Sequence, residues 1–231
     1  MRLSACLPLI RIWWSRRVDR LRLRSKGSKM KLYDFSLSGN CHKIRMLLAM
    51  LDVSYERVDI DLRHKDQFDS DFVALNPLHK VPVIEDGDVV LRDSAAILIY
   101  LARTHGRTDL YPDDPRDMAD IQQWLSFSVN EVFNGLAMVR ANIIFKRGLE
   151  PAPLEAAAAA ALDMLEQRLD GREWLSLDRF TLADLGCYPY TALSHEGGID
   201  LAQWPATRAW CRRITQLPGF VTMPGLTTAT A

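Results

Sequence analysis

The 231-residue sequence holds only four cysteines, Cys6, Cys41, Cys187 and Cys211, and no two stand at C-x-x-C spacing. So few thiols in a chain with ample apolar residues exclude a disulfide scaffold. No His/Cys pairing has the spacing of a zinc site, so no metal is expected. A reducing, cytoplasmic setting follows as the expectation. Cys187 and Cys211 fall in apolar helical stretches, where a small buried hydrophobe is the expected role. Long hydrophobic runs are missing too, and none approaches the roughly 20 residues of a membrane helix. There is no internal repeat. Net charge is zero, from 29 basic and 29 acidic side chains. That balance hides an asymmetry: residues 1–29 hold nine Lys/Arg against Asp19 alone, leaving 20 basic and 28 acidic residues in the remainder. A body this acidic has no general attraction for nucleic acid.

The basic segment 1–29 fails as a secretory signal, because its apolar stretch Ala5–Ile10 is short and arginines follow it. It is expected to be a disordered extension or an artefact of the assigned start, with the first domain beginning at Met30. Its Arg-rich, acid-poor composition also fits an organellar transit peptide, and Trp13 and Trp14 fit a membrane-surface helix.

From Met30 strand and helix signals alternate. Lys31–Phe35 reads as a strand and Ser36–Asn40 as a turn. Ile44, Leu47, Leu48 and Leu51 then mark one face of a helix. Val58, Ile60 and Leu62 alternate with charged residues, predicting a second strand. Residues 65–75, with Phe68, Phe72 and Leu75, predict a weak helix that Asn76-Pro77 breaks. Val81–Glu85 and Asp88–Leu91 flank Asp86-Gly87, a hairpin signal. Ser94–Arg103 is an apolar helix. This order predicts an α/β domain with a mixed sheet over residues 30–105.

After a polar connector, Thr104–Asp114, every periodic signal is helical, giving an all-α domain over residues 114–222. Pro115 suits a first helical turn with Asp114 as cap, and the helix is expected to run to about Arg147 with a bend near Gly135. Leu154–Leu169 carries the alanine run 156–161. Phe180-Thr181-Leu182-Ala183-Asp184 predicts a capping box with a hydrophobic staple from Phe180 to Leu185, and Pro189 is expected to kink that helix. Pro205–Gln216 is the last helix.

Three segments of the first domain could carry chemistry. Ser38-Gly39-Asn40-Cys41-His42-Lys43 joins strand to helix, where a hydroxyl lies beside unpaired N–H groups and the positive end of the helix dipole. Such a place favours an anion such as a thiolate; equally, serine there is simply a good N-cap. Asn76-Pro77-Leu78-His79-Lys80-Val81-Pro82 puts a proline at a strand start, in a place suited to a cis bond or to an ordinary edge strand. It leaves the Val81 backbone free to pair with an extended peptide. Asp93 and Ser94 open a helix and offer a carboxylate for an ammonium group, and a hydroxyl and N–H for a carboxylate, or else act as a cap.

Together, Ser38-x-Asn40-Cys41, Asn76-Pro77-x-x-Lys80-Val81-Pro82, Asp93-Ser94 and the Phe180–Asp184 capping motif resemble the glutathione transferase family, from Met30 to about Phe220. The resemblance implies a thioredoxin-like N-terminal domain that binds glutathione and an all-α C-terminal domain that completes the second-substrate pocket. It implies a serine-type member of zeta, delta or nu character, a detoxifying transferase and a homodimer, with glutathione as co-substrate and no separate cofactor. Ser38 matches the serine that hydrogen-bonds the glutathione sulfur, and Asn40 matches the sulfur contact of the nu-like and fungal prion-like relatives. Val81, beside a cis-Pro82, would pair with the cysteinyl unit; Asp93 and Ser94 would hold the γ-glutamyl end; Lys80 and His79 would meet the glycyl carboxylate. Asp93 stands where glutamate is more usual. Ser36 is a second hydroxyl near the same strand end. Trp124, Phe127, Asn130, Phe133 and Asn134 would line the second-substrate pocket, or belong to core or dimer interface.

Three functions remain open at this point: a transferase acting on a hydrophobic electrophile, a glutathione-dependent disulfide reductase, and a non-enzymatic binding or regulatory protein on the same fold. Cys41 is expected to pack, since the thiol that would partner it in a redox pair is replaced by Ser38.

Overall fold

A computed structural model describes residues 29–226; the reading of the basic segment 1–29 therefore lies almost wholly outside the described residues. The first domain contains β1 (Lys31–Asp34), α1 (Gly39–Met50), β2 (Glu56–Asp59), α2 (Ser70–Leu75), β3 (Val83–Asp86), β4 (Val89–Leu91) and α3 (Ser94–Thr104). The sheet order is β2-β1-β3-β4, with β1 parallel to β2 and antiparallel to β3, and β3 antiparallel to β4. This is the mixed sheet of a thioredoxin-like domain.

Three local expectations shift. The second strand ends at Asp59 rather than near Leu62, because its parallel partner β1 runs out where Asp34 pairs with Asp59. The weak helix of 65–75 splits into a single 3₁₀ turn, Asp66–Phe68, and α2, with Asp69 extended between them. In the hairpin the last pair is Asp86 with Val89, so the loop is Gly87-Asp88. Gly87, at φ +65°, supplies the left-handed backbone that a two-residue loop takes at its first position.

The helical domain comprises α4 (Pro115–Val129), α5 (Met138–Ile144), α6 (Pro151–Leu169), α7 (Leu182–Ala192) and α8 (Pro205–Thr215). The bend foreseen near Gly135 is a π-helical turn, Phe133–Ala137. A Cβ on Gly135 would lie 2.7 Å from the Cα of Ala158, so this turn and the alanine run of α6 meet backbone to backbone. All of α7 is buried, and its helix continues across Pro189. Its N-terminus carries the full capping box: Thr181 Oγ1 accepts from the Ala183 N–H at 3.2 Å, and Asp184 Oδ2 accepts from the Thr181 N–H at 2.9 Å. Asp184 Oδ1 also accepts from Leu175 N–H and Trp210 Nε1–H, both at 2.9 Å.

One apolar core spans both domains, from Leu32, Leu47 and Leu98 to Leu125, Leu185 and Trp210. A second, smaller core gathers Phe35, Cys41, Ile60, Phe72, Val81 and Val83. It ties the start of α1 to the segment entering β3. Among the described residues no helix is long and apolar enough to cross a membrane.

Candidate functional site

The sheet brings the three motif segments to one end of its strands. Tyr33, near the end of β1, pairs with Val83 at the start of β3, and Ile84 pairs with Leu91 at the end of β4. Ser38, Pro82 and Asp93 each lie within a few residues of that end. The Val81-Pro82 bond is cis. Among the described residues, no hydrogen bond from within the chain reaches the Val81 N–H or C=O. An extended peptide can therefore pair there.

Ser38 is the N-cap of α1, with Oγ accepting from the Cys41 N–H at 3.2 Å. No acidic residue lies in the first turn of α1, so the positive end of its dipole is left uncompensated. Ser36 is held through its carbonyl, which accepts from Arg45 Nη2 at 3.2 Å. Arg45 also pairs with the buried Asp34, as does Arg57 at 2.7 Å. Asp93 is exposed and caps α3, accepting from the Ala96 N–H at 3.0 Å, and Ser94 beside it is buried.

Asn76, itself buried, clamps the loop before β3: its Nδ2 donates to the Lys80 carbonyl at 2.6 Å and its Oδ1 accepts from the Leu78 N–H at 3.0 Å. His79 adopts φ +55° within this loop, stacks on Phe68 with centroids 4.7 Å apart, and engages the Gln67 carbonyl through Nδ1 at 3.1 Å. Lys80 is exposed, and its Nζ lies 5.8 Å from the ring centroid of Phe133 in the other domain.

The five residues proposed for a second pocket separate. Phe133 lies between Lys80 and Tyr190, whose ring it meets edge-on at 6.3 Å. Trp124 is buried under Arg168 and against Phe127, at 5.8 and 5.4 Å. Asn130 and Asn134 are exposed at the end of α4 and hydrogen-bond each other at 2.9 Å.

Cys41 is fully buried, and burial pushes its thiol up to about 12, with the Asp34 carboxylate adding to the rise. That suits packing rather than thiolate chemistry at this sulfur.

Three residues beside the site escaped sequence reasoning. Tyr190, from α7, places its hydroxyl where the Asn40 N–H reaches it at 3.4 Å. Arg140, buried on α5, donates to the Leu37 carbonyl at 2.8 Å and to Glu196 at 2.5 Å. It thereby braces the residue before Ser38 from the other domain. Lys43 is buried with no hydrogen-bond partner for Nζ among the described residues. Burial lowers its pKa to about 8, against weaker upward pulls from Cys187 and Asp93. Only Lys43 had a local signal, as the last residue of the segment Ser38–Lys43 that the sequence singles out. Among the described residues no cluster of His, Cys, Asp or Glu could hold a metal.

Comparison with known proteins agrees with this fold. Residues 28–103 match the glutathione S-transferase N-terminal domain, and residues 144–218 the glutathione S-transferase C-terminal domain. The structure is similar to a glutathione S-transferase from Xanthobacter autotrophicus Py2, with 34% identity and a TM-score of 0.79 over 85% of this chain and 97% of that one. Glutathione S-transferase D7 of Anopheles gambiae is 29% identical, covering 79% of this chain and 84% of its own. The disulfide-bond oxidoreductase YfcG of Escherichia coli is 28% identical, covering 80% of this chain and 89% of its own. With both domain models matched in order on a thioredoxin-like sheet and a helical partner domain, the chain belongs to the glutathione transferase family.

Proposed function

We propose that this protein binds glutathione along the Val81-Pro82 segment that enters β3, activates its thiol as thiolate at the N-terminus of α1, and directs it at a hydrophobic electrophile. The observation that carries the reading is the open cap at Ser38: a hydroxyl at a helix N-terminus with no acid in its first turn, beside the cis Val81-Pro82 segment with its unpaired backbone. Val81 takes the cysteinyl unit as a short strand pair. Asp93 and Ser94 meet the γ-glutamyl end, and Lys80 with His79 the glycyl carboxylate. Glutathione is the co-substrate, and the reading needs no other cofactor.

Magnitudes support it. A free thiol titrates near about 8.5, and lowering that by about two units takes roughly 2.7 kcal/mol of differential stabilisation. A hydroxyl donating to a charged group contributes about 1.5–3 kcal/mol, and a helix N-terminus about 0.3–1 kcal/mol. The thiolate then attacks an electrophilic carbon. Phe133, between Lys80 and Tyr190, is the pocket residue best placed to meet an apolar acceptor. A homodimer is the proposed assembly. Phe68 and Leu78, 58% and 56% exposed on the two segments before β3, are apolar surface that a second copy would cover. The three described cysteines are all unpaired, in keeping with a reducing, cytoplasmic setting.

The test is glutathione binding by calorimetry with a thiolate ultraviolet difference spectrum, for wild type and Ser38→Ala. Binding with thiolate that the variant loses is the expected result; no binding at all would falsify the reading. A disulfide-reductase activity is the second reading, favoured by Asn40 at the second position of α1 and by the likeness to YfcG. Binding with thiolate unchanged in Ser38→Ala moves the role to Asn40 or Ser36 and favours that reading.

A further inference from the structure

Ser38 hangs from the peptide plane that joins it to Leu37, and that plane is held at both ends. The Ser38 N–H donates to the Phe35 carbonyl at 2.9 Å, and the Leu37 carbonyl accepts from Arg140 Nη1 at 2.8 Å. The first hold is local. The second crosses from α5 of the helical domain, 103 residues away. On the far side of Ser38 the next plane is fixed in turn, because the Ser38 carbonyl accepts from the His42 N–H at 3.0 Å. Peptide units are planar, so holding both planes sets φ −81° and ψ 119° at Ser38, and with them the direction in which Cβ and Oγ leave the chain.

Arg140 has the footing that such a hold requires. It is 3% exposed, and its Nε donates to Glu196 at 2.5 Å. Glu196 stands in a 3₁₀ turn, Ser194–Gly197, pressed so closely on α5 that a Cβ on Gly197 would lie 2.9 Å from Val139 Cγ1. The chain near Gly225 covers the carboxylate from another side, where a Cβ on that glycine would come within 2.5 Å of Oε1. The carbonyl before Leu37, that of Ser36, is held from within the first domain by Arg45.

We propose that Arg140 is a positioning residue for glutathione activation, holding the Leu37–Ser38 peptide from the helical domain so that the serine hydroxyl points at the sulfur. This role rests on Ser38 being the activating group. No bond is made or broken at Arg140, and Glu196 offsets its charge. Its effect is on the aim of another side chain. Activation thereby depends on the docking of the two domains, since without Arg140 the plane before Ser38 is held at its N–H end alone. In the proposed site Val81, Asp93 and Ser94 meet the glutathione peptide, so a change at Arg140 bears on activation and not on binding.

The experiment titrates the ultraviolet thiolate signal of bound glutathione against pH in wild type, Arg140→Met, Ser38→Ala and the double variant. Glu196 and Tyr190, the groups that feel the Arg140 charge, are kept in all four. Arg140→Met leaves the serine in place but loosens it. It is expected to raise the thiol pKa by about 0.5–1 unit, a threefold to tenfold loss of thiolate below that pKa. Ser38→Ala raises it further. The Kd for glutathione, measured by calorimetry where the thiol is protonated, stays within about twofold of wild type. In the Ser38→Ala background Arg140→Met adds nothing. Arg140→Lys leaves Glu196 a cationic partner and serves should Arg140→Met not fold. One ammonium lacks the guanidinium fork that serves Glu196 and Leu37 together, so it shifts the titration the same way by less.

An Arg140→Met protein that titrates like wild type while Ser38→Ala shifts overturns the assignment and leaves the site reading standing. An equal shift from Arg140→Met with and without Ser38 overturns it also, because the guanidinium would then act on the sulfur as a charge. So does a tenfold weaker Kd in Arg140→Met, which would make Arg140 part of peptide binding. If Ser38→Ala itself leaves the titration unmoved, the reading beneath fails and the assignment with it.

Discussion

The chain contains two helix N-termini that are built from the same parts and finished differently. At α7, Thr181 caps and Asp184 answers from the first turn, both fully buried, and the Asp184 oxygens accept from two backbone amides and an indole. At α1, Ser38 caps, but the position that would answer is Cys41, whose side chain points into the small core. One terminus is closed on itself; the other is left one anion short. A helix start holds a fold together when its donors and its dipole are matched internally, and it can bind when that match is withheld.

The largest effect should come from opening the closed end. Asp184→Ala leaves three buried donors without an acceptor and is expected to cost about 3–5 kcal/mol in urea unfolding. A loss under 1 kcal/mol would mean that the box is ornamental.

Next in size is an acid sensitivity behind the open end. His42 of α1 is buried, and its Nε2 engages the Val221 carbonyl at 2.7 Å, so the ring is neutral with its proton on that nitrogen. Burial lowers its pKa to about 4, from 6.5. Between those values the unfolded chain binds a proton that the folded chain refuses, so stability falls as pH drops through this window. At pH 5 the loss should be about 2 kcal/mol. Asp184, raised by burial to about 6, works in the opposite direction. Urea midpoints at pH 7 and 5 must therefore be compared between wild type and His42→Gln, and equal slopes in the two would discard the assignment.

Ser38→Ala tests the open end directly. Removing the cap should cost only about 0.5–1 kcal/mol of stability, yet thiolate-dependent turnover should fall roughly 10- to 100-fold, the worth of a hydrogen bond to a charged group. Parallel chemical unfolding and steady-state assays separate the two.

Smallest is Asn40→Asp, which supplies α1 with the first-turn acid it lacks. Stability should rise by about 0.3–1 kcal/mol while the bound thiol becomes harder to ionise, because the added carboxylate takes the dipole's favour for itself. A variant gaining both stability and thiolate would contradict the contrast drawn between the two ends.

What could be read from sequence follows from how far apart the interacting residues lie. The capping box spans four residues, and Ser38, Val81-Pro82 and Asp93-Ser94 sit in short motifs. All were legible because each is local, and the sheet merely gathers them. The end of β2 was not, because alternation continues past Asp59 while the partner strand does not. At the π-helical turn the sequence marked a bend near Gly135 but not its form, because the backbone contact there lies on α6, on the far side of a loop. Tyr190 and Arg140 reach the Ser38 loop across 150 and 103 positions. In sequence each is just a polar group in a helix of apolar neighbours. Trp124 shows the converse: an aromatic on the right helix face for a pocket, spent instead on packing beneath Arg168.

The contact between Val221 and His42 also bears on synthesis. Gly219 lies against the Met50 backbone, where a Cβ would come within 2.9 Å of Cα, and Phe220 meets the His42 ring edge-on at 6.4 Å. The earlier of the two domains along the chain therefore waits for residues 219–221, far downstream of it, before the rear of its first helix is covered. Until then that helix presents an unpaired imidazole and an apolar flank to whatever chaperone is at hand.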